Sequence, residues 1–306
     1  MHDLAVVIVN YNTRDLLRAC LGSIYQSQGD LRYKVYVVDN CSADGSADMV
    51  RREFPQVDGV TQCESNCGYP AANNIGFRAA GLGQSSSRSE PRYVLMLNAD
   101  TVLPPNALQQ MVDFMDDHPQ AGIAGPKLVR PDGTLDKACR RSFPSPEVSF
   151  YRLAGLSRIF PKNRRFARYN LDYLDVDKMA EIDAVVGAFM IIRGDTLRDI
   201  GLLDESFFMY GEDLDLCYRA KQKGWKVYYY PAVTILHHKG ESSKQRSYHS
   251  IYHFYRSMYV FHRKHYWQST LFLLNWLITL GIVTLGGWAL LRNVLRPSGR
   301  RRVASA

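Results

Sequence analysis

Leu4 to Val9 is an unbroken apolar run that stops at Asn10, the pattern of a strand buried on both faces of a sheet. Behind it, Thr13 or Asp15 caps a helix whose Leu16, Leu17, Ala19, Cys20 and Ile24 recur at helical spacing. The alternation then repeats. Val35 to Val38 is a second buried strand ending at Asp39-Asn40, and Ser42 and Asp44 open a helix through Met49, Val50 and Phe54. A short strand falls near Val60, a helix lies around Ala71–Ala80, and residues 81–92 form a Gly/Ser-rich loop. Tyr93 to Leu97 is another wholly apolar strand and runs into Asn98-Ala99-Asp100. Further on, the pattern predicts a helix from Pro104 to about Gly122, a mixed segment over 123–150, an apolar run from Val185 to Ile192, a loop leading into a helix over Asp204–Lys223, and a strand over Lys226–Tyr230.

This β-α-β-α-β order predicts an α/β fold, with a mostly parallel sheet flanked by helices on both faces. Right-handed crossovers place every parallel strand's carboxyl end on one side. Asn10, Asp39 and Asp100 each follow such an end, so three polar positions far apart in sequence converge on one crevice, where open α/β sheets bind ligands.

The C-terminal pattern is different. Thr270 to Leu291 is about 22 residues without a charge, long enough to cross hydrocarbon as a helix. Tyr266, Trp267 and Trp288 sit near its ends, and Tyr248, Ile251, Tyr252, Tyr255, Met258, Tyr259 and Phe261 mark an amphipathic helix before it. The division expected is a catalytic domain over 1–245 and a membrane-associated region over 246–306. Arg263 and Lys264 precede the apolar stretch and Arg292, Arg296 and Arg300–Arg302 follow it, so the positive-inside rule gives no clean vote on orientation, and a re-entrant or interfacial hairpin keeps both basic flanks cytoplasmic. Gly281, Gly286 and Gly287 allow a bend or a close helix partner.

The chain has 306 residues and a net charge of +8. The arginines clustered around the apolar stretch assign that excess to a membrane surface and membrane lipids, not to nucleic acid, for which basic-aromatic stripes are missing outside 151–170 and the tail. The 151–170 stretch itself faces lipid headgroups or a pyrophosphate. Six cysteines show no metal-like pairing and read as reduced thiols. The Leu4–Val9 run is too short for a signal peptide, which keeps the catalytic part in the cytoplasm, on the cytoplasmic face of a bacterial inner membrane.

Five polar constellations carry candidate chemistry, although each taken singly also suits an ordinary cap or turn. Asp39 can accept a hydrogen bond from the N3–H of uracil or thymine. The Asn66–Gly76 loop, with Asn66, Gly68, Asn73 and Asn74, offers close backbone approach and amide groups, and it is neither a P-loop nor a dinucleotide fingerprint. Asp100 can ligate Mg2+ or Mn2+ with donor phosphates and waters completing the shell. Glu212-Asp213 follows the apolar Phe207-Phe208-Met209-Tyr210, a wall that raises a carboxylate's proton affinity toward that of a useful base, while Asp215 caps the helix behind it. His237-His238-Lys239-Gly240-Glu241-Ser242 offers an imidazole to the metal and Lys239 or the Gly240–Ser242 backbone to a diphosphate.

In this order and at these intervals, Val7-Ile8-Val9-Asn10-Tyr11-Asn12, Val37-Val38-Asp39-Asn40, Asn66–Gly76, Leu97-Asn98-Ala99-Asp100-Thr101, Gly187-Ala188-Phe189-Met190 and Phe207 to Cys217 resemble the family 2 inverting glycosyltransferases of the GT-A fold, most of all their rhamnosyltransferase branch. The resemblance covers residues 4 to about 245. It implies that Asp39 reads the donor base, Asn10 lies near the nucleoside, the Asn66–Gly76 loop closes over the donor, Asn98 supports the ribose or diphosphate, Asp100 and His237 hold the metal, and Asp213 is the general base with Glu212 positioning it or the acceptor. It also implies a nucleotide-diphospho-sugar donor, with dTDP-L-rhamnose favoured over UDP- or GDP-sugars, and a lipid-linked (polyprenyl-diphosphate) saccharide acceptor. A nucleotide-sugar-binding scaffold without activity is the alternative of another class. Many relatives carry Asp-x-Asp where this chain has Asn98-Ala99-Asp100, which lowers the charge of the metal site and weakens its hold on an ion without nucleotide.

Overall fold

The computed structural model describes residues 2–83, 90–239 and 247–296. Strand β1 (Leu4–Asn10) is buried along its whole length at the middle of the sheet's parallel half. It pairs in parallel with β2 (Tyr33–Asp39) on one side and β4 (Tyr93–Asn98) on the other, and β3 (Gly59–Gln62) extends β2. The connecting helices are α1 (Arg14–Tyr25), α2 (Ser46–Glu53) and α3 (Tyr69–Ala79). With both faces covered, Val6, Val7 and Ile8 are fully buried, and each such side chain contributes roughly 1.5–3 kcal/mol through burial. Helix α3 approaches β1 so closely that a Cβ on Gly76 would stand 2.3 Å from Val7 Cγ1, so only glycine fits there. Asn73 and Asn74 therefore belong to a buried helix and not to an open loop.

The second half corrects one expectation and extends two. The helix after Pro104 is α4 (Ala107–Asp117). It stops at His118 because Pro119 disfavours helical backbone before it, and β6 (Ala121–Val129) begins where helix was expected. The apolar run near 185–192 becomes β8 (Phe189–Arg193), which is inserted antiparallel between β4 and β6. The strand at 226–230 extends through a register break beside Pro231 to become β9 (Lys226–His237). Short strands β5 (Thr101–Val102) and β7 (Ala180–Ile182) both pair with β9, which completes a nine-stranded sheet in the order β3-β2-β1-β4-β8-β6-β9-β5. Helices α5 (Pro146–Leu153) and α6 (Leu156–Ile159) stand on an excursion between β6 and β7, and α7 (Gly194–Ile200) and α8 (Glu212–Gln222) follow β8.

The C-terminal region is an antiparallel pair, α9 (Ser247–His265) and α10 (Phe272–Val294). His262 Nε2 donates to Asn275 Oδ1 at 2.7 Å, the Tyr255 ring covers Gly286, and Tyr248 Oη donates to the Asn293 carbonyl at 3.5 Å. Gly286 is thus the close helix contact that the glycines permitted. Helix α10 is the one helix among the described residues long and apolar enough to cross a membrane, and it is continuous, so no hairpin forms within it.

Candidate active site

The parallel strands deliver their ends as expected. Asn10 and Asp39 are register partners at the tips of β1 and β2, and Val9 faces Asn98 at the tip of β4. Asn10 Nδ2 donates to Asp39 Oδ1 at 3.1 Å, and the Ser42 amide donates to Asp39 Oδ2 at 3.1 Å. The Asp39 carboxylate is therefore held rigid and retains lone pairs for another donor. Asn40 continues the chain of contacts: its Oδ1 accepts from the Cys67 amide at 3.0 Å and its Nδ2 donates to Asn66 Oδ1 at 3.2 Å. Gly68 has a positive φ, and a Cβ there would meet the Phe208 carbonyl at 2.7 Å, so the Phe208 backbone by itself already demands glycine. Asn74 has its amide committed to the Leu203 backbone and Glu205, which makes it a clamp on the segment leading into α8; Asn73 Nδ2 donates to the Tyr69 carbonyl.

Tyr69 joins the two halves. Its phenol donates to Asn98 Oδ1 at 2.7 Å and lies 3.1 Å from the Gly187 carbonyl, while its amide donates to the Phe208 carbonyl. Burial raises the phenol's proton affinity, and the nearby charges of Glu212, Asp213 and Asp100 raise it further. Through the Gly187 amide, which donates to Asp213, this side chain links the end of β4 to the acidic pair at the head of α8.

Glu212 and Asp213 stand in the first turn of α8, entered through a left-handed turn at Tyr210 and Gly211. The helix dipole favours carboxylates there. Asp213 Oδ2 accepts from Arg141 Nη2 at 2.6 Å and from the Gly187 amide at 3.2 Å, and Oδ1 accepts from the Leu214 amide. Glu212 is equally buried, but its Oε2 has no hydrogen-bond partner among the described residues. Burial, reinforced by the Asp213 charge, pushes the Glu212 carboxyl up to about 8. Asp215 is not a cap, since Gly211 holds that position. Its buried carboxylate binds Arg219, Lys264 and His265 instead.

The pairing of β5 with β9 sets Thr101 opposite His237 and brings the imidazole to Asp100. His237 Nε2 lies 3.3 Å from Asp100 Oδ1 without hydrogen-bond alignment, so this buried oxygen has no donor among the described residues. His237 Nδ1 meets Asp136 Oδ2 at 3.1 Å, and Lys239 Nζ donates to Asp136 Oδ1 at 2.7 Å. Burial opposes charge on His237, but the two carboxylates win and hold it up at about 9. An orphaned carboxylate oxygen beside an imidazole oriented by a second carboxylate fits a divalent cation that takes the place of the proton on His237 Nε2. No group of three or more metal-binding side chains forms among the described residues, so the remaining ligands of such an ion come from phosphates and water. His238 contributes only its amide, to the Asp100 carbonyl, and Gly240–Ser242 lie outside the described residues.

Residues 2–249 match the family model described as glycosyltransferase like family 2. The chain belongs to that family and is a glycosyltransferase. The enzyme is 27% identical over 305 residues to the N-acetylglucosaminyl-diphospho-decaprenol L-rhamnosyltransferase of Mycobacterium tuberculosis (strain ATCC 25618 / H37Rv), with 98% of this chain and 96% of the relative covered. Its fold matches GalNAc-T7 with UDP, GalNAc and Mn2+ at a TM-score of 0.54 and 16% identity, over 78% of this chain and 44% of that one. It matches S. aureus TarS 1-349 in complex with UDP-GlcNAc at 0.53 and 17%, over 84% and 65%. These likenesses identify the fold as GT-A.

Three residues escaped the sequence reading: Arg141, which grips Asp213; Asp136, which orients His237; and Tyr69, which links the motifs. Arg141 and Asp136 sit in a segment read only as mixed, with no periodicity to mark them. The basic pair Arg140-Arg141 was the one available signal.

Proposed function

We propose that this glycosyltransferase inverts configuration while moving L-rhamnose from dTDP-L-rhamnose to a polyprenyl-diphosphate-linked saccharide, in cell-surface polysaccharide synthesis at the cytoplasmic face of a bacterial inner membrane. The catalytic domain spans 1–245 and the membrane-associated region 246–306. The observation that carries the reading is the linkage in which Tyr69 bonds Asn98 and lies 3.1 Å from the Gly187 carbonyl while the Gly187 amide donates to Asp213, which supports a phosphate-side group and a proton acceptor in one site. Near full-length similarity to an enzyme named for a decaprenol-linked acceptor supports the lipid-linked acceptor and the sugar.

In this assignment Asp39, held by Asn10 and Ser42, accepts from the donor's base. Asn66 and Gly68 close that side, and Asn98, fixed by Tyr69, faces the ribose or diphosphate. Asp100 and His237 hold Mg2+ or Mn2+, which when bound offsets charge on the diphosphate. Asp213 takes the proton of the acceptor hydroxyl as its oxygen bonds to the anomeric carbon; the bond from that carbon to the diphosphate oxygen breaks on the opposite face, so configuration inverts. Glu212 positions the acceptor. The reverse division within the pair is favoured by one observation, the Glu212 carboxyl, whose Oε2 finds no partner among the described residues and whose proton affinity burial raises. Asp213→Asn and Glu212→Gln distinguish the two, because the base variant loses turnover while nucleotide binding persists.

Incubation of the purified protein with dTDP-rhamnose, UDP-sugars and GDP-sugars in the presence of a lipid-linked N-acetylglucosamine acceptor tests the whole reading. Transfer from a UDP- or GDP-sugar alone removes the donor assignment. Nucleotide-sugar binding with no transfer from any donor supports the scaffold instead.

A further inference from the structure

Helix α10 is attached along its length to α9, at Asn275, Gly286 and Asn293, and α9 is attached along its length to the catalytic part. His253 stacks on Phe208 at 4.3 Å, Arg256 Nη1 donates to the Ser206 carbonyl at 2.7 Å, and Lys264 and His265 bind Asp215. Were α10 to cross a bilayer, α9 and its Arg256, Arg263 and Lys264 would be carried into hydrocarbon beside Asp204 and Asp215, a costly placement for charge. Along α10 large apolar side chains, among them Phe272, Trp276, Leu280, Val283 and Trp288, are exposed, while Asn275, Gly286 and Asn293 are buried against α9. The attachment of α9 to the catalytic part therefore holds α10 beside that part, with its apolar surface free to enter a membrane from the side.

A second element meets it there. The excursion that carries α5 and α6 leaves and rejoins the fold where the Ser142 amide donates to the Tyr169 carbonyl at 2.9 Å. At its foot, Phe143 packs on Tyr218 at 5.0 Å, and Tyr218 packs on Tyr266, the residue just after α9, at 6.0 Å. Arg168 of the excursion also acts electrostatically on Tyr266. The excursion therefore rises beside the entry to α10. It exposes Phe150, Leu153, Ile159 and Phe160 among exposed Arg158, Lys162, Arg164 and Arg165. Apolar tips ringed by cations match an anionic headgroup layer over hydrocarbon.

We propose that α10 lies flat in an anionic membrane surface and that the 143–168 excursion is a second membrane contact, so the two together form one platform that sets the active site at headgroup height. This rests on the proposed membrane attachment but not on the sugar or the reaction. The test uses the full chain with an epitope tag after Ala306, added to preformed vesicles of phosphatidylglycerol and phosphatidylcholine, or of phosphatidylcholine alone. The tag is expected to be fully digested by external protease, and hydrogen exchange over 146–160 is expected to slow on the anionic vesicles. Phe150→Asp with Leu153→Asp should lower partitioning onto those vesicles by about tenfold or more, as the loss of two inserted apolar side chains requires. Binding of dTDP, measured in parallel, reports the donor site separately and should not change. A tag protected inside the vesicles overturns the flat placement. Exchange over 146–160 that is equal with and without lipid, or is slowed instead by self-association in lipid-free solution, overturns the second contact.

Discussion

Arg141 Nη2 lies 2.6 Å from Asp213 Oδ2 with both side chains buried, so the acidic pair at the head of α8 is anchored to the strand-rich half of the fold by an ion pair out of reach of water. Removing one partner of such a pair strands the other charge, at a cost of about 3–5 kcal/mol. Arg141→Ala is expected to lose that much stability in denaturant titration and to lose transfer activity as well. Arg141→Ala with Asp213→Asn together should recover part of the stability and none of the activity.

Glu212 carries the pH dependence. Its carboxyl is held at about 8 when folded, against about 4.5 in the ordinary range, so between those values the folded chain binds more protons than the unfolded one. Stability contributed by the protonated group is complete at low pH and falls as pH rises through that window. Melting curves of the wild type and Glu212→Gln, recorded from pH 5 to 9, should therefore diverge, with the variant relatively more stable at the alkaline end. Parallel curves would remove the buried-acid assignment.

Asp136 touches no proposed substrate, yet it orients His237 and is held well below the usual carboxylate range: burial pushes it up, and the His237 hydrogen bond and the Lys239 charge more than offset that. Partners of this kind commonly change metal affinity by 10–100-fold when lost. Asp136→Asn should weaken Mn2+ binding, read by electron paramagnetic resonance in the presence of dTDP, by about that factor, while dTDP binding without metal stays unchanged. Equal Mn2+ affinity in the two proteins would show that His237 needs no such support.

Asp215 ties the C-terminal helices to α8. Burial raises its carboxyl, but the His265 hydrogen bond and the Arg219 and Lys264 charges bring it down to about 2. The stability it contributes is complete above the ordinary value of 3.8 and is lost as pH falls toward 2. Asp215→Asn should flatten this acid limb in melting experiments. Limited proteolysis at neutral pH should cleave the variant faster in 247–271, where α9 is released. Unchanged cleavage would mean that the Phe208–His253 stack alone holds the helix.

The sequence by itself determined the parallel half of the sheet and the polar residues at its strand ends. Burial on both faces leaves a continuous apolar run, and the polar residue that ends the run is local to it; Asn10, Asp39 and Asp100 were all found in this way. It also marked α10, because length without charge is a local property. Only the tertiary structure decided the rest. The direction of β8 leaves no trace in composition, since a buried strand reads the same either way. Arg141 and Asp213 are 72 positions apart, and His237 and Asp136 are 101 apart, so neither pairing follows from any spacing. The raised proton affinities of Glu212 and His237 depend on water excluded by the packed fold and on charges brought close by it, and a linear chain specifies neither until it has folded.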